Sequence, residues 1–312
     1  MVTLSHSASN EPGNWSTGKR PRAAGHLRAD SLLFTPERRL RAPWRILIFV
    51  LAAVVGTLVA ATVESMVVSG AAALGYRLLI TQWSAPLGLL LAHLIVLKSV
   101  DGRQWDFVGL HRLAARPALL AQGTALGALT IGIPSAILLL TGQLDTVPSA
   151  PGSSVAAAGV TFAILLPAAF SEELLLRGYV FAVLRESIGW RWTLISTSVV
   201  FGLLHIANPG ANGQSVLLVM LAGMFLGAIF IATGSLYAAT LAHFAWNWFM
   251  AAALHTPVSG LPVSAPDYRV VDSGPDWLTG GGWGPEGGIA AALGMFVALI
   301  YLNWRLMRRT ER

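Results

Sequence analysis

The sequence predicts an all-α, polytopic transmembrane helix bundle of about 8 spans behind a flexible basic arm, and three observations predict it. Only 12% of the 312 residues are charged and 54% are apolar, with a mean hydropathy of +0.63. An ordinary soluble domain carries about 25% charged residues, so that class is excluded. The apolar residues also gather in runs of about 20, the length of helix that crosses a hydrocarbon layer. Finally, the connections between runs alternate between basic and neutral or acidic. The chain has no cysteine, which excludes disulfides, thiolate-bound zinc, iron–sulfur clusters and a thiol nucleophile. Catalysis would fall to Glu, Asp, His, Ser or the backbone.

Residues 1–43 read as a flexible cytoplasmic arm, rich in Ser, Gly, Pro, Arg and Ala and without helical apolar periodicity. Residues 1–45 hold eight basic and three acidic side chains, so nearly all of the net charge of +6 lies there. The basic balance is thus a property of the arm and points to no nucleic acid partner. The first apolar run starts near Arg45 and is too long for the core of a secretory signal, so it reads as a permanent span. Residues 44–312 then form one integral membrane domain.

The expected spans are 45–68, 78–97, 117–141, 156–176 with a continuation toward 187, 191–208, 213–233, 235–254 and 287–306. Lys98, Arg103, Arg112 and Arg116 occupy one connection, Arg185 and Arg191 another, and Arg305, Arg308, Arg309 and Arg312 close the chain. The complementary connections hold only Asp145, no charge at all, or Asp267, Asp272, Asp276 and Glu286 against Arg269. By the positive-inside rule both termini are cytoplasmic. Trp44, Trp83, Trp190, Trp192 and Trp304 fall near span ends, as an interfacial belt requires. Gly123 with Gly127, and Gly223 with Gly227, are spaced for close helix packing. Glu64 and His93 read as side chains reaching the headgroups. No internal repeat supports a two-fold transporter.

The fourth span contains Ser171-Glu172-Glu173-Leu174-Leu175-Leu176-Arg177. A charge near the bilayer centre costs about 2.5–3.5 kcal/mol on an insertion scale, so three of them must face a polar interior or each other. Glu173 and Arg177 stand at i, i+4 with the acid on the N-terminal side, the favourable order for a helix salt bridge. Glu172 is rotated by about 100° and lacks that partner. Phe201 and His205 share one face of the fifth helix, and His243 and Asn247 one face of the seventh. Counted from the cytoplasmic ends at a rise of 1.5 Å per residue, Glu172, His205 and Asn247 lie roughly 18–22 Å deep, and His243 about one turn shallower. These four groups could meet in one intramembrane chamber.

Glu172-Glu173-xxx-Arg177, Phe201-xxx-His205 and His243-xxx-Asn247, in that order on separate helices, resemble the CAAX protease and bacteriocin-processing family of intramembrane endopeptidases, which includes the type II CAAX prenyl endopeptidases. The Gly-rich run from Gly223 to Gly234 leading into Ser235 is similar to that family as well. The resemblance covers residues 155–250, under a third of the chain. It implies hydrolysis of peptide bonds in membrane-associated proteins or peptides, lipidated ones included, with the bilayer as the standing partner.

Such a reaction needs a base for water, donors for the oxyanion and a proton for the leaving amine. Glu172 is the candidate base, and His205 can orient the water or pass on its proton. His243 and Asn247 can donate to the oxyanion, while Glu173 with Arg177 and Phe201 form the supporting set. No cofactor is favoured. The alternative is zinc, held by Glu172, Glu173, His205 and His243 around an open water position. Non-enzymatic alternatives are a scaffold or immunity factor and an ion- or proton-coupled transporter. Topology reporters fused after Asp145 and within 260–280 are expected to read external, and reporters in the 98–116 connection cytoplasmic. A cytoplasmic reading at either of the first two sites contradicts the eight-span arrangement.

Overall fold

The computed structural model describes residues 32–75 and 82–310. Most of the basic arm, the start of the 78–97 span and residues 311 and 312 therefore lie outside the described residues. The chain divides at Arg41 into two units. In the described part of the first, Phe34 bridges Leu40 across a tight turn at Thr35–Arg39.

The second unit is built of helices: α1 (Ala42–Ala73), α2 (Ser84–Ile95), α3 (Pro117–Leu140), α4 (Ser154–Arg177), α5 (Tyr179–Leu204), α6 (Gly213–Thr233), α7 (Leu236–Phe249), the single turn α8 (Asp276–Thr279) and α9 (Ile289–Thr310). Apart from α8, each coincides with one expected span. Among the described residues six stretches are long and apolar enough to cross a membrane, two fewer than the expected spans. Two of the expected spans share the single 51-residue stretch Ser154–Leu204, and α7 is only 14 residues before a π turn at Met250–Leu254 extends it. Trp44, Trp83, Trp190, Trp192 and Trp304 are all exposed at helix ends or breaks, as a belt requires.

The Ser154–Leu204 stretch is a hairpin whose descending limb is itself broken. Gly178 (φ −78°, ψ −122°) stops the helix, its N–H reaching back to the Glu173 carbonyl. The next amide, Tyr179 N–H, is freed and donates to His93 Nε2 at 3.0 Å. His93 is fully buried, with Nδ1–H on the Leu89 carbonyl at 2.7 Å. The expected headgroup position of His93 is thus corrected: a neutral ring caps the break, where a Cβ on residue 178 would strike it.

Below the break the chain keeps its direction. Arg177 meets Gly223 of α6 and Phe181 meets Phe230, two turns further along the same helix. The reversal comes at Gly189, whose φ of +76° suits glycine. Leu194 then packs on Gly227, and Ser198 and Phe201 on Gly223, so the second limb climbs back along α6. The continuation of the fourth span toward 187 is borne out by this path.

At the turn end, Arg45 binds Asp101 at 2.7 Å and Glu186 at 2.9 Å, Arg103 shares Glu186, and Tyr179 O–H donates to Asp101. These contacts bind the start of α1, the end of the π turn after α2, and the descending limb.

At the opposite end lies an element the sequence did not lead us to expect. Strand β1 (Leu144–Pro148) pairs antiparallel with β2 (Tyr268–Asp272), Leu144 opposite Asp272. Asp267 accepts from Gly152 N–H and Ser154 O–H beside this ribbon, and these donors hold its carboxyl below the usual range.

Close packing by glycine sets the helix spacing. A Cβ on Gly123 or Gly127 of α3 would run into the carbonyls of Ala238 and Ala242 on α7. Gly127→Val is therefore expected to lower stability by about 1–3 kcal/mol, the usual cost of overpacking. Gly159→Val, where an added Cβ has no neighbouring atom within 4 Å beyond its own helix backbone, should leave the thermal midpoint in detergent unchanged.

Candidate active site

α4, α5 and α7 bring the predicted residues together around His243: Phe201, His205 and Asn247 share a cavity with it, while Glu172 approaches its ring without lining that cavity. Glu173 and Arg177 are both 0% exposed and paired at 2.9 Å. A charge buried this deeply is costly unless its polar atoms are engaged, and here the engagement is partial, with Glu173 Oε2 and Arg177 Nε left without a hydrogen-bond partner among the described residues. Arg177 Nη1 donates to Glu173 Oε1 and Nη2 to the Gly223 carbonyl at 2.9 Å. Its guanidinium lies over the Phe201 ring, 4.5 Å from the centroid. The close approach of α5 to Gly223 is what brings Phe201 and the Gly223 carbonyl to the same guanidinium.

Glu173 Oε1 also faces His243 Nδ1 at 3.0 Å. A carboxylate held by Arg177 can only accept, so the proton of this contact sits on Nδ1. His243 Nε2 is thereby aimed at Glu172 Oε2, 3.9 Å away. That separation is too long for a direct hydrogen bond. The Glu172 side chain is 40% exposed overall, yet Oε2 is buried and has no hydrogen-bond partner among the described residues. Glu172 and Glu173 thus differ in environment, one open and one locked.

Phe201 stands between the two histidines, its ring 5.0 Å from that of His205 and 5.7 Å from that of His243. His205 caps the C-terminus of α5 rather than lying within it, and Nδ1–H donates to the Phe201 carbonyl at 2.8 Å. Its Nε2 is left as the free acceptor. Asn247, one turn beyond His243, lines the same cavity as His205 and His243. The cavity measures about 20 Å³, enough for one water and too small for a peptide residue. A substrate must therefore move part of its wall.

Among the lining residues that sequence reasoning missed, Glu286, from the loop before α9, is the ionisable one. It is 8% exposed and accepts from Trp246 Nε1–H at 2.8 Å and from Ser259 N–H and O–H at 2.6 and 2.7 Å. Its sequence neighbours are glycine and proline, and no spacing marks it.

For the zinc alternative the donors do not fit well. Among the described residues no three His, Asp or Glu side chains gather as a metal requires. The two nitrogens of His243 face different carboxylates from opposite edges of the ring.

Arg177→Ala is expected to reduce the amount of folded protein sharply, because breaking a buried pair costs about 3–5 kcal/mol through the charge left behind. Yield of monodisperse protein after size exclusion measures it, and equal yield would contradict the supporting role.

Compared with known proteins, residues 154–249 match the family described as type II CAAX prenyl endopeptidase Rce1-like. No curated protein and no solved structure matches the chain. The matched segment is just under a third of the sequence and runs from the first residue of α4 to the last of α7. It contains Glu172, Glu173, Arg177, Phe201, His205, His243 and Asn247, the same residues that carried the resemblance. Across α4 to α7 this integral membrane protein is therefore similar to the Rce1-like type II CAAX prenyl endopeptidases, and the similarity is confined to that segment.

Proposed function

We propose that the protein is a glutamate-dependent intramembrane endopeptidase acting on membrane-associated proteins or peptides, with both termini in the cytoplasm. One observation carries the reading: a buried, unpartnered Glu172 Oε2 stands 3.9 Å from the Nε2 of a histidine whose ring is fixed by a locked ion pair. A single water can donate one hydrogen to each of these acceptors, which leaves an oxygen lone pair for attack on a carbonyl.

In the proposed reaction Glu172 takes a proton from this water as its oxygen bonds to the peptide carbon. Asn247 Nδ2 donates to the oxyanion. The C–N bond then breaks, and the proton returns from Glu172 to the leaving nitrogen, giving a new carboxyl and a new amino terminus. This assigns His243 to the water and leaves Asn247 as the neutral oxyanion donor. His205, with Nδ1–H engaged, offers Nε2 as an acceptor to the departing amine. Glu173, Arg177 and Phe201 hold the geometry and touch no reacting atom. No metal enters the scheme.

Glu172→Gln should abolish hydrolysis of a membrane peptide with an unchanged thermal midpoint, since the lost charge has no ion-pair partner within hydrogen-bonding range. Asn247→Ala should lower kcat by about 10²–10³, the usual loss for one oxyanion donor, with KM little changed. Activity should survive prolonged chelation. Stoichiometric zinc that tracks activity in detergent-purified protein would overturn the metal-free scheme.

A further inference from the structure

Glu286 is a buried carboxylate without a basic partner: among the described residues no Lys, Arg or His lies within ion-pair distance of it. Three neutral donors hold it instead, and an ionised group kept on such terms is costly. Those donors sit on two different parts of the molecule. Trp246 belongs to α7, between His243 and Asn247, and its indole is itself buried. Ser259 belongs to the loop after α7, and its carbonyl accepts from Asn208 Nδ2–H at 2.9 Å. Asn208 N–H in turn donates to the His205 carbonyl at 3.1 Å. A continuous chain of hydrogen bonds therefore runs from His205 through Asn208, Ser259 and Glu286 to Trp246.

The loop is shaped to bring the carboxylate there. Gly284 has φ of +104°, and Gly260, with φ of +77°, lies so close to the Pro209 carbonyl that a Cβ would collide with it. Gln214 at the start of α6 donates to the carbonyl of Gly287 at 2.8 Å and fastens the other side of the turn.

We propose that Glu286 is a positioning residue of the site, fixing the rotation of α7 and its spacing from the His205 turn so that His243, Asn247 and His205 face one cavity. The proposal rests on the endopeptidase reading for its consequence on rate, though the mechanical tie stands apart from it. Glu286 touches no reacting atom, because all three of its hydrogen bonds are to protein donors. Catalytic groups displaced by about 1 Å can lose on the order of 10² in rate, so the tie should act on turnover more than on substrate affinity.

Glu286→Gln tests it. The amide must turn one N–H end toward a donor, either Trp246 Nε1–H or Ser259. Turnover of a membrane peptide by the full-length protein should fall by about 10- to 10²-fold with KM nearly unchanged. Adding Trp246→Phe removes one of the opposed donors and should recover much of the loss. Ser259→Ala, which deletes a single hydroxyl, should move kcat the same way by less and serves if the first variant folds poorly.

A second readout needs no activity. The chain lacks cysteine, so Ile206→Cys and Ala253→Cys, both at exposed sites, accept spin labels selectively. The distance distribution between them should be narrow in the parent and broader with Glu286→Gln. An unchanged distribution, or an unchanged kcat where Glu172→Gln is inactive, would overturn the proposal. A distribution broadened by Glu286→Gln, alongside a parent that hydrolyses nothing, would sink the endopeptidase reading and support the tie.

Discussion

The guanidinium of Arg177 has no water to turn to, and the rest of the structure is arranged around that fact. One edge takes Glu173, another takes the carbonyl of Gly223, and a face takes Phe201. Each partner dictates something at longer range. A carbonyl can be reached on α6 because glycine at 223 lets α5 come close. Phe201, held over the cation, separates two imidazoles. Glu173 accepts from His243 on the same Oε1 that takes Arg177 and so selects which nitrogen carries the proton. The ion pair is costly as a source of stability and valuable as a means of orientation.

Adjacent glutamates show how one helix supplies opposite environments. The rotation of about 100° between neighbours turns Glu173 into the bundle and Glu172 toward its open side. The break at Gly178 follows directly after the charged turn, and His93 caps the amide that the break releases. Without that ring a buried N–H would go unpaired below the site. The structure thus spends one buried histidine on the backbone and two on the chamber.

Much of this was legible in the sequence because it depends on local spacing. Hydrophobic run length located the helices, and the i, i+4 spacing of Glu173 and Arg177 identified the pair before any coordinates. The small-residue spacing of Gly123 and Gly127 signalled tight packing, although not against which helix. Features that depend on distant pairing were invisible. Strand β1 pairs with residues 120 or more positions away, and five residues of mixed polarity carry little signal alone. His93 looked like a residue at a span end, since nothing local shows that a break in another helix will need a cap. Glu286 sits among glycines in a loop, and its partners are a backbone amide, a hydroxyl and an indole, none of which leaves a recognisable pattern.

The antiparallel ribbon also imposes an order on biosynthesis. β1 emerges between α3 and α4, but its partner and Glu286 are translated only after α7. A ribosome feeding this chain into a bilayer therefore releases Glu172, His205, His243 and Asn247 before the ribbon's second strand and Glu286. During that interval His205 and Asn247 lack the tie through Ser259 and Glu286 that joins their segments. The newborn protein thus carries Glu172, His205, His243 and Asn247 in an unassembled state, and the chamber is complete only when the segment that follows α7 has been made.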